Sequence, residues 1–252
     1  MISVIIPAYN NLDLFKRALH SVLKQKNVSF ELIVVDDSSY SDIDNYVHSL
    51  NDGRIHYFHN IPAKGAVRNW NFGLSLASGE KLLVLHHDEE LKNDDYMRRI
   101  DSLLDIYDLT ICNKQVLTSG RKSRHIPQII NKIIIKRMAP LFFVNCIGPC
   151  ACIAIKRSVL CSFDERLHWK VDTDWYYRTL KAAKRIHYIN SIEILSHHGH
   201  QGQITLNLDI PKIASEDAEI IRKKYNSTTI NFYLFLGTLY YRFRSRVVAN
   251  MQ

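Results

Sequence analysis

No aspartate or glutamate occurs between residues 109 and 163, although nine cations do: Lys114, Arg121, Lys122, Arg124, Lys132, Lys136, Arg137, Lys156 and Arg157. The chain of 252 residues carries a net charge of +8, so everything outside that block sums to −1. A one-sign block of this kind favours an anionic partner, whether nucleic acid, anionic lipid or a phosphate-bearing substrate, unless it is only a solvated surface. Single-stranded nucleic acid would call for aromatic side chains among the cations. Residues 114–137 contain no Phe, Tyr or Trp, so no nucleic-acid partner is expected. The five cysteines include no C-x-x-C pair and are odd in number, which argues against a zinc site or a disulfide framework and fits a reducing compartment. The longest late apolar run, residues 230–241, would be about 18 Å long as a helix. A bilayer core is roughly 30 Å thick, so that run does not span. The opening MISVIIPAYN has no basic leader and reads as a first strand, not a secretory signal.

What is present alternates. Residues 3–8, 30–36, 54–59 and 80–86 are short β-rich runs, and residues 12–25, 41–50 and 66–77 between them have helical spacing. In the first helix Leu12, Phe15, Leu19, Val22 and Leu23 recur at three- and four-residue intervals. Alternation of this kind argues for an α/β fold with a parallel sheet covered by helices on both faces. Residues 111–117 and 151–156 are expected as strands, 172–184 as a helix, 186–189 and 193–197 as two further strands, and 209–225 and 228–248 as closing helices.

Four places set polar residues directly after an apolar run: PAYN at 7–10, VVDDSS at 34–39, LLVLHHDEE at 82–90 and KVDTDWYYR at 170–178. The carboxyl ends of parallel strands are where ligands bind in an open α/β sheet. The first three exits therefore place Asp37 and Asp88 on the walls of one crevice. Each motif also has a local explanation. Asp-Asp-Ser-Ser suits a turn or helix cap, and Asp172 and Asp174 suit the positive end of a helix. Zinc at His86 and His87 would need three or four convergent ligands.

In order and spacing these stretches, with NCIGPCACIAIKRSVLCSFDERLHWKVDTDWYYR and HHGHQGQIT, resemble the family-2 glycosyltransferases of the GT-A fold, especially bacterial enzymes of O-antigen and other surface-polysaccharide synthesis. The resemblance runs from Ser3 to Thr205. It implies a GT-A catalytic domain over residues 1–205, with a nucleotide-sugar half to residue 115 and an acceptor half after it, followed by a C-terminal helical extension over 206–252. It implies that Pro7, Ala8, Tyr9, Asp36 and Asp37 hold the nucleotide and that Asp88 binds Mn²⁺ or Mg²⁺ on the donor pyrophosphate. His86 and His87 stand beside Asp88, His198 or His200 lies near the phosphates and metal, and Asp172 is the catalytic base. Asp174, Arg178 and Trp169 fall on the acceptor side, and Lys64 and Arg68 are candidates for the pyrophosphate. Trp70 and Trp175 are expected to pack.

Two positions depart from the family pattern: His86 replaces the first acid of Asp-x-Asp, and Val171 replaces the acid before the base. The implied reaction is inverting transfer from a nucleotide sugar, UDP first among them, to a polyprenyl-diphosphate-linked saccharide. It would take place in the cytoplasm at the inner face of the inner membrane. The basic block and the tail with Arg242, Arg244 and Arg246 could hold the protein at that surface, or the tail could dock on the catalytic domain or a second subunit. A catalytically silent nucleotide- or sugar-binding relative is the alternative.

Overall fold

Every residue of the first strand, β1 (Ile2–Ala8), is buried. A strand without a solvent face must be covered on both sides, as in the interior of an α/β sheet. In the computed structural model, which describes residues 1–118, 128–200 and 209–249, β1 lies between β2 (Phe30–Asp36) and β4 (Lys81–Val84), parallel to both, and β3 (Ile55–His59) extends that edge. Ala8 is in register with Asp36, and Asp36 with His59, so these strands end together. The helices between them are α1 (Leu12–Leu23), α2 (Asp42–Leu50) and α3 (Ala66–Leu76). Asn11 caps α1 by accepting from the Leu14 N–H, and Phe15, Leu19 and Val22 turn inward. Gly73 lets α3 ride close over the sheet, because a Cβ there would stand 2.4 Å from the Ile5 side chain.

The second half departs from the expected parallel sheet. After β5 (Glu89–Leu91), α4 (Tyr96–Ile106), β6 (Leu109–Thr118) and α5 (Gln128–Arg137), the strand β7 (Ile153–Lys156) runs antiparallel to both β4 and β6. An apolar run reads the same in either direction, so its pattern does not reveal strand sense. The two strands expected over 186–189 and 193–197 are one, β8 (Ile186–His198), carried past its polar middle by register shifts against β6 between Ile111 and Lys114. The sheet order is β3-β2-β1-β4-β7-β6-β8-β5. β6 also crosses the boundary expected at residue 115, so one sheet serves both proposed halves.

That order forces the sheet to curl. β4 and β5 are four positions apart in the sheet, which is about 19 Å on a flat surface at strand spacing. Residues 84 to 89 can reach at most about 17 Å when fully extended, and here they turn tightly, with the Glu89 N–H donating to the His86 carbonyl. The β5 edge must therefore fold back toward β4, and the turn at residues 85–88 marks the mouth of the curl.

Three helices follow the basic block: α6 (Val171–Ala182), α7 (Ile210–Tyr225) and α8 (Thr228–Ala249). α6 and α7 exchange carboxylates. Asp217 of α7, fully buried, accepts from the backbone N–H groups of His168, Trp169 and Lys170 at the entrance to α6. In return Asp174 of α6, also fully buried, pairs with Arg178 at 2.8 Å and Lys224 at 2.9 Å and accepts from the Tyr225 hydroxyl at 2.6 Å. Asp174 and Arg178, expected on the acceptor side, thus take part in locking α6 to α7, with Asp174 fully buried. The same contacts bind α7 to the preceding part of the chain.

Removing one partner of a buried charge network typically costs about 3–5 kcal/mol, because the others stay buried unpaired. Asp174→Ala is expected to lower unfolding stability by that amount in a urea titration. A loss below about 1 kcal/mol would show that the exchange does not hold α6.

Candidate active site

The exits of β1, β2 and β4 are stitched together. The Asn10 N–H donates to Ser38 Oγ and the Ser39 N–H to Asn10 Oδ1, while His87 Nδ1 donates to the Pro7 carbonyl at 3.3 Å. Tyr9 is exposed at this rim, whereas Pro7 and Ala8 are buried in the strand and offer backbone. Asp37 is 5% exposed and accepts from the N–H groups of Lys64 and Gly65 and from Asn60 Nδ2. It therefore anchors the turn into α3. Asp36 is fully buried, with one carboxylate oxygen on the Ser38 N–H and the other on the Tyr57 hydroxyl. Asp36, expected at the donor, thus ties the end of β2 to the following turn and to β3. The ammonium of Lys64 lies over the Phe72 ring, and Arg68 pairs with Glu165 at 3.2 Å. Both cations are thus engaged with the protein itself.

The turn after β4 gathers the chemistry. His86, Asp88 and Glu89 each present a potential ligand atom, and these atoms lie within 4.8 Å of one another. Glu89 is 3% exposed and receives both the backbone N–H of His86 and its Nδ1, at 3.1 and 3.2 Å. Burial opposes the charge on His86, but the Glu89 carboxylate outweighs it, helped by Asp172 and Asp88, and raises the imidazole to about 9. The buried Nε2 of His86 has no hydrogen-bond partner among the described residues. Burial likewise works against ionisation of Asp88, yet a hydrogen bond from His200 and the fields of His87 and His86 hold that carboxyl down at about 2. The His200 contact is 3.3 Å, made from Nε2 to Asp88 Oδ2. Of the two late histidines, the structure brings His200 to Asp88; His198 is exposed and bonds Ser196 Oγ through Nε2. Residues 201–205 of the last motif, like Arg121, Lys122 and Arg124, lie outside the described residues.

This donor set fits a divalent cation. It is rich in oxygen and Asp88 is ionised at neutral pH, while the unpartnered Nε2 of the protonated His86 beside it can donate to a phosphate oxygen. Hard cations such as Mg²⁺ and Mn²⁺ need only one or two carboxylates, with substrate phosphate and water completing the shell.

Asp172 stands in the first turn of α6, with Cys150 Sγ donating to its Oδ1 at 3.5 Å. Burial pushes its carboxyl above the usual range, only partly offset by the charge of His86 and the Cys150 bond. His86 and Asp172 thus act on each other, which ties Asp172 to the turn after β4. Trp169 is half-buried and packs edge-on against Tyr241, while Trp175 is core, stacked on Phe163.

Sequence reasoning missed two contributors. Trp70 does pack, but its ring lies 4.6 Å from that of His86, so it forms a wall of the site. Lys114 was only one cation of the basic block. In the fold its side chain crosses Gly148, where a Cβ would stand 2.4 Å from Nζ, and its charge acts on both Asp172 and His198. No local signal marks it, because Gly148, which makes the room, belongs to a distant loop. All five cysteines are free thiols.

Known proteins share this fold. TarS of S. aureus (residues 1–349, in complex with UDP-GlcNAc) superposes with a TM-score of 0.70 over 92% of this chain and 69% of that one, at 18% identity, which makes the fold GT-A. The Campylobacter jejuni GalNAc(5)-diNAcBac-PP-undecaprenol beta-1,3-glucosyltransferase is 41% identical over 93 residues, 36% of this chain and 30% of its own. Escherichia coli WfgD, a UDP-Glc:alpha-D-GlcNAc-diphosphoundecaprenol beta-1,3-glucosyltransferase, is 36% identical over 89 residues, 35% of each chain. The matched segment is thus about a third of the length of these curated relatives. Residues 3–163 match the family described as Glycosyl transferase family 2, and the chain belongs to that family.

Proposed function

We propose that the protein transfers a sugar, with inversion, from a nucleotide sugar to a hydroxyl of a polyprenyl-diphosphate-linked saccharide in surface-polysaccharide synthesis. UDP is the nucleotide expected. The observation that carries this reading is the mutual electrostatic coupling of Asp172, on α6, with the turn that bears His86, Asp88 and Glu89. Two chemical roles, a base and an anion-and-metal site, then share one crevice. The activities of the relatives, both of which act on undecaprenol-diphosphate saccharides, support the acceptor class.

In this reading Mn²⁺ or Mg²⁺ is held by Asp88 with His86, Glu89 and His200 beside it. Such a cation supplies Lewis-acid stabilisation of the charge that grows on the departing nucleoside diphosphate. Tyr9 borders the nucleotide, and the backbone turn pinned by Asp37 shapes its pocket. Lys114 adds a cation on the opposite wall. Asp172 accepts the proton of the acceptor hydroxyl as that hydroxyl attacks the anomeric carbon from the face away from the leaving group. A base raised by burial is the stronger proton acceptor once ionised, and Trp169 and Trp70 wall the sugars from water. Because the acceptor is carried on a lipid, the protein works at the cytoplasmic face of the inner membrane.

Two outcomes follow for a transfer assay with a panel of nucleotide sugars. Asp172→Asn keeps nucleotide binding and loses transfer by about 10²–10⁴-fold, the usual worth of a general base; near-normal transfer would remove Asp172 from the role. The Asp172 carboxyl is raised and must be ionised to act, so kcat falls as pH drops through a value above the ordinary carboxylate range. A wild-type acid limb at or below an ordinary aspartate would contradict the burial argument.

A further inference from the structure

Helix α8 has two apolar faces, and among the described residues one is covered and the other exposed. Ile230, Leu234 and Thr238, four residues apart, are buried, and Gly237 lies on the same side. A Cβ on Gly237 would stand 2.9 and 3.0 Å from the carbonyl oxygens of Phe143 and Phe142, so α8 is seated tightly on the 3-10 turn Ala139–Phe142. The opposite face carries Phe232, Phe235, Leu239 and Phe243, 56%, 54%, 46% and 69% exposed. Their spacing of three, four and four makes one stripe along the helix. An exposed stripe of large apolar groups marks a docking surface.

The charge around the stripe says what docks. α8 contains no acidic residue and ends with Arg242, Arg244 and Arg246 in its sequence. α5, packed on the same 3-10 turn, carries Lys132, Lys136 and Arg137 and no acid, with Lys136 and Arg137 exposed and Ile133 55% exposed. A second copy would bring cations onto cations, whereas an anionic lipid surface neutralises them. No helix of the described residues is long and apolar enough to cross a membrane, so a helix of this composition would lie in the interface.

We propose that the Phe232, Phe235, Leu239 and Phe243 face of α8, with the cations of α5 on the turn that seats the helix, is the surface by which the protein binds anionic phospholipid bilayers. The position of the helix gives that docking a purpose, and here the inference rests on the reading of a lipid-carried acceptor. Tyr241 packs edge-on against Trp169 with ring centroids 5.7 Å apart, and the Lys170 ammonium lies 5.4 Å from the same ring. Tyr241 belongs to the covered side of α8, so the stripe on the outer side lies one helix diameter, about 10 Å, from the entrance to α6, two residues before Asp172. A bilayer held there presents its lipid-linked saccharide beside the base.

The test is flotation of the full chain with vesicles of phosphatidylcholine alone or mixed with phosphatidylglycerol. Wild type, Phe232→Ser/Phe235→Ser/Leu239→Ser and Lys136→Gln/Arg137→Gln are compared, with nucleotide binding and column elution followed in parallel. Wild type should bind the anionic vesicles, and the apolar triple variant should lose at least about tenfold of that binding. The cation variant, whose folding does not depend on α8, should lose about fivefold or more of the preference for anionic over neutral vesicles. Equal binding by wild type and both variants would overturn the proposal. So would a wild-type dimer that the triple variant converts to monomer, since a second copy would then cover the stripe. Vesicle binding that follows this pattern in a protein that binds no nucleotide would leave the surface standing and sink the transferase reading.

Discussion

The site depends on a buried carboxylate and the imidazole that balances it. Glu89 begins the short edge strand that the curled sheet brings back toward β4, and it is almost wholly buried there. A buried acid without a partner would protonate or destabilise the turn. His86, three residues earlier, satisfies it with both a backbone N–H and a ring nitrogen. The imidazole is raised to about 9 from an ordinary 6.5, so its contribution is complete below pH 6.5 and disappears as pH rises through about 9. This supplies a physical reason for histidine where the family pattern has an acid. An acid at that position would add a carboxylate beside Glu89 and Asp88, whereas a protonated histidine offers them a counter-charge.

The other wall is fixed from farther away. Asp172 sits in the first turn of a helix whose entrance is held by Asp217 and whose second buried acid, Asp174, is held by Lys224, Tyr225 and Arg178. These two carboxylates look alike in the sequence, two residues apart. Burial and partners separate them: Asp174 is charge-matched, whereas among the described residues Asp172 has a thiol donor alone and is partly buried. A helix that comes later in the chain thus positions Asp172, and the covered side of α8 reaches the same entrance through Trp169 and Tyr241.

Much of this was legible from residue order alone. The β1-α1-β2-α2-β3-α3-β4 half follows hydrophobic periodicity, and its polar exits meet as expected because parallel strands end on one side. The second half was harder for definite reasons. The sense of β7 leaves no trace in an apolar run, β8 hides behind a polar Asn190 and Ser191 in its middle, and α4 begins in a run of charge. At the site, Asp88 and Asp172 stood out by their placement after a strand and at a helix start. The structural duties of Asp36 and Asp174 could not be seen, because Tyr57 and Lys224, their partners, are 21 and 50 residues away.

The claim on which the account turns is that the Asp88 turn is a metal-assisted nucleotide site. Calorimetric titration of UDP, GDP and dTDP into wild type and Asp88→Ala, with and without Mn²⁺, tests it most directly. One nucleotide should bind wild type only when the metal is present, and that binding should vanish in Asp88→Ala. Equal binding by the two proteins, or no binding of any nucleotide under either condition, would contradict it.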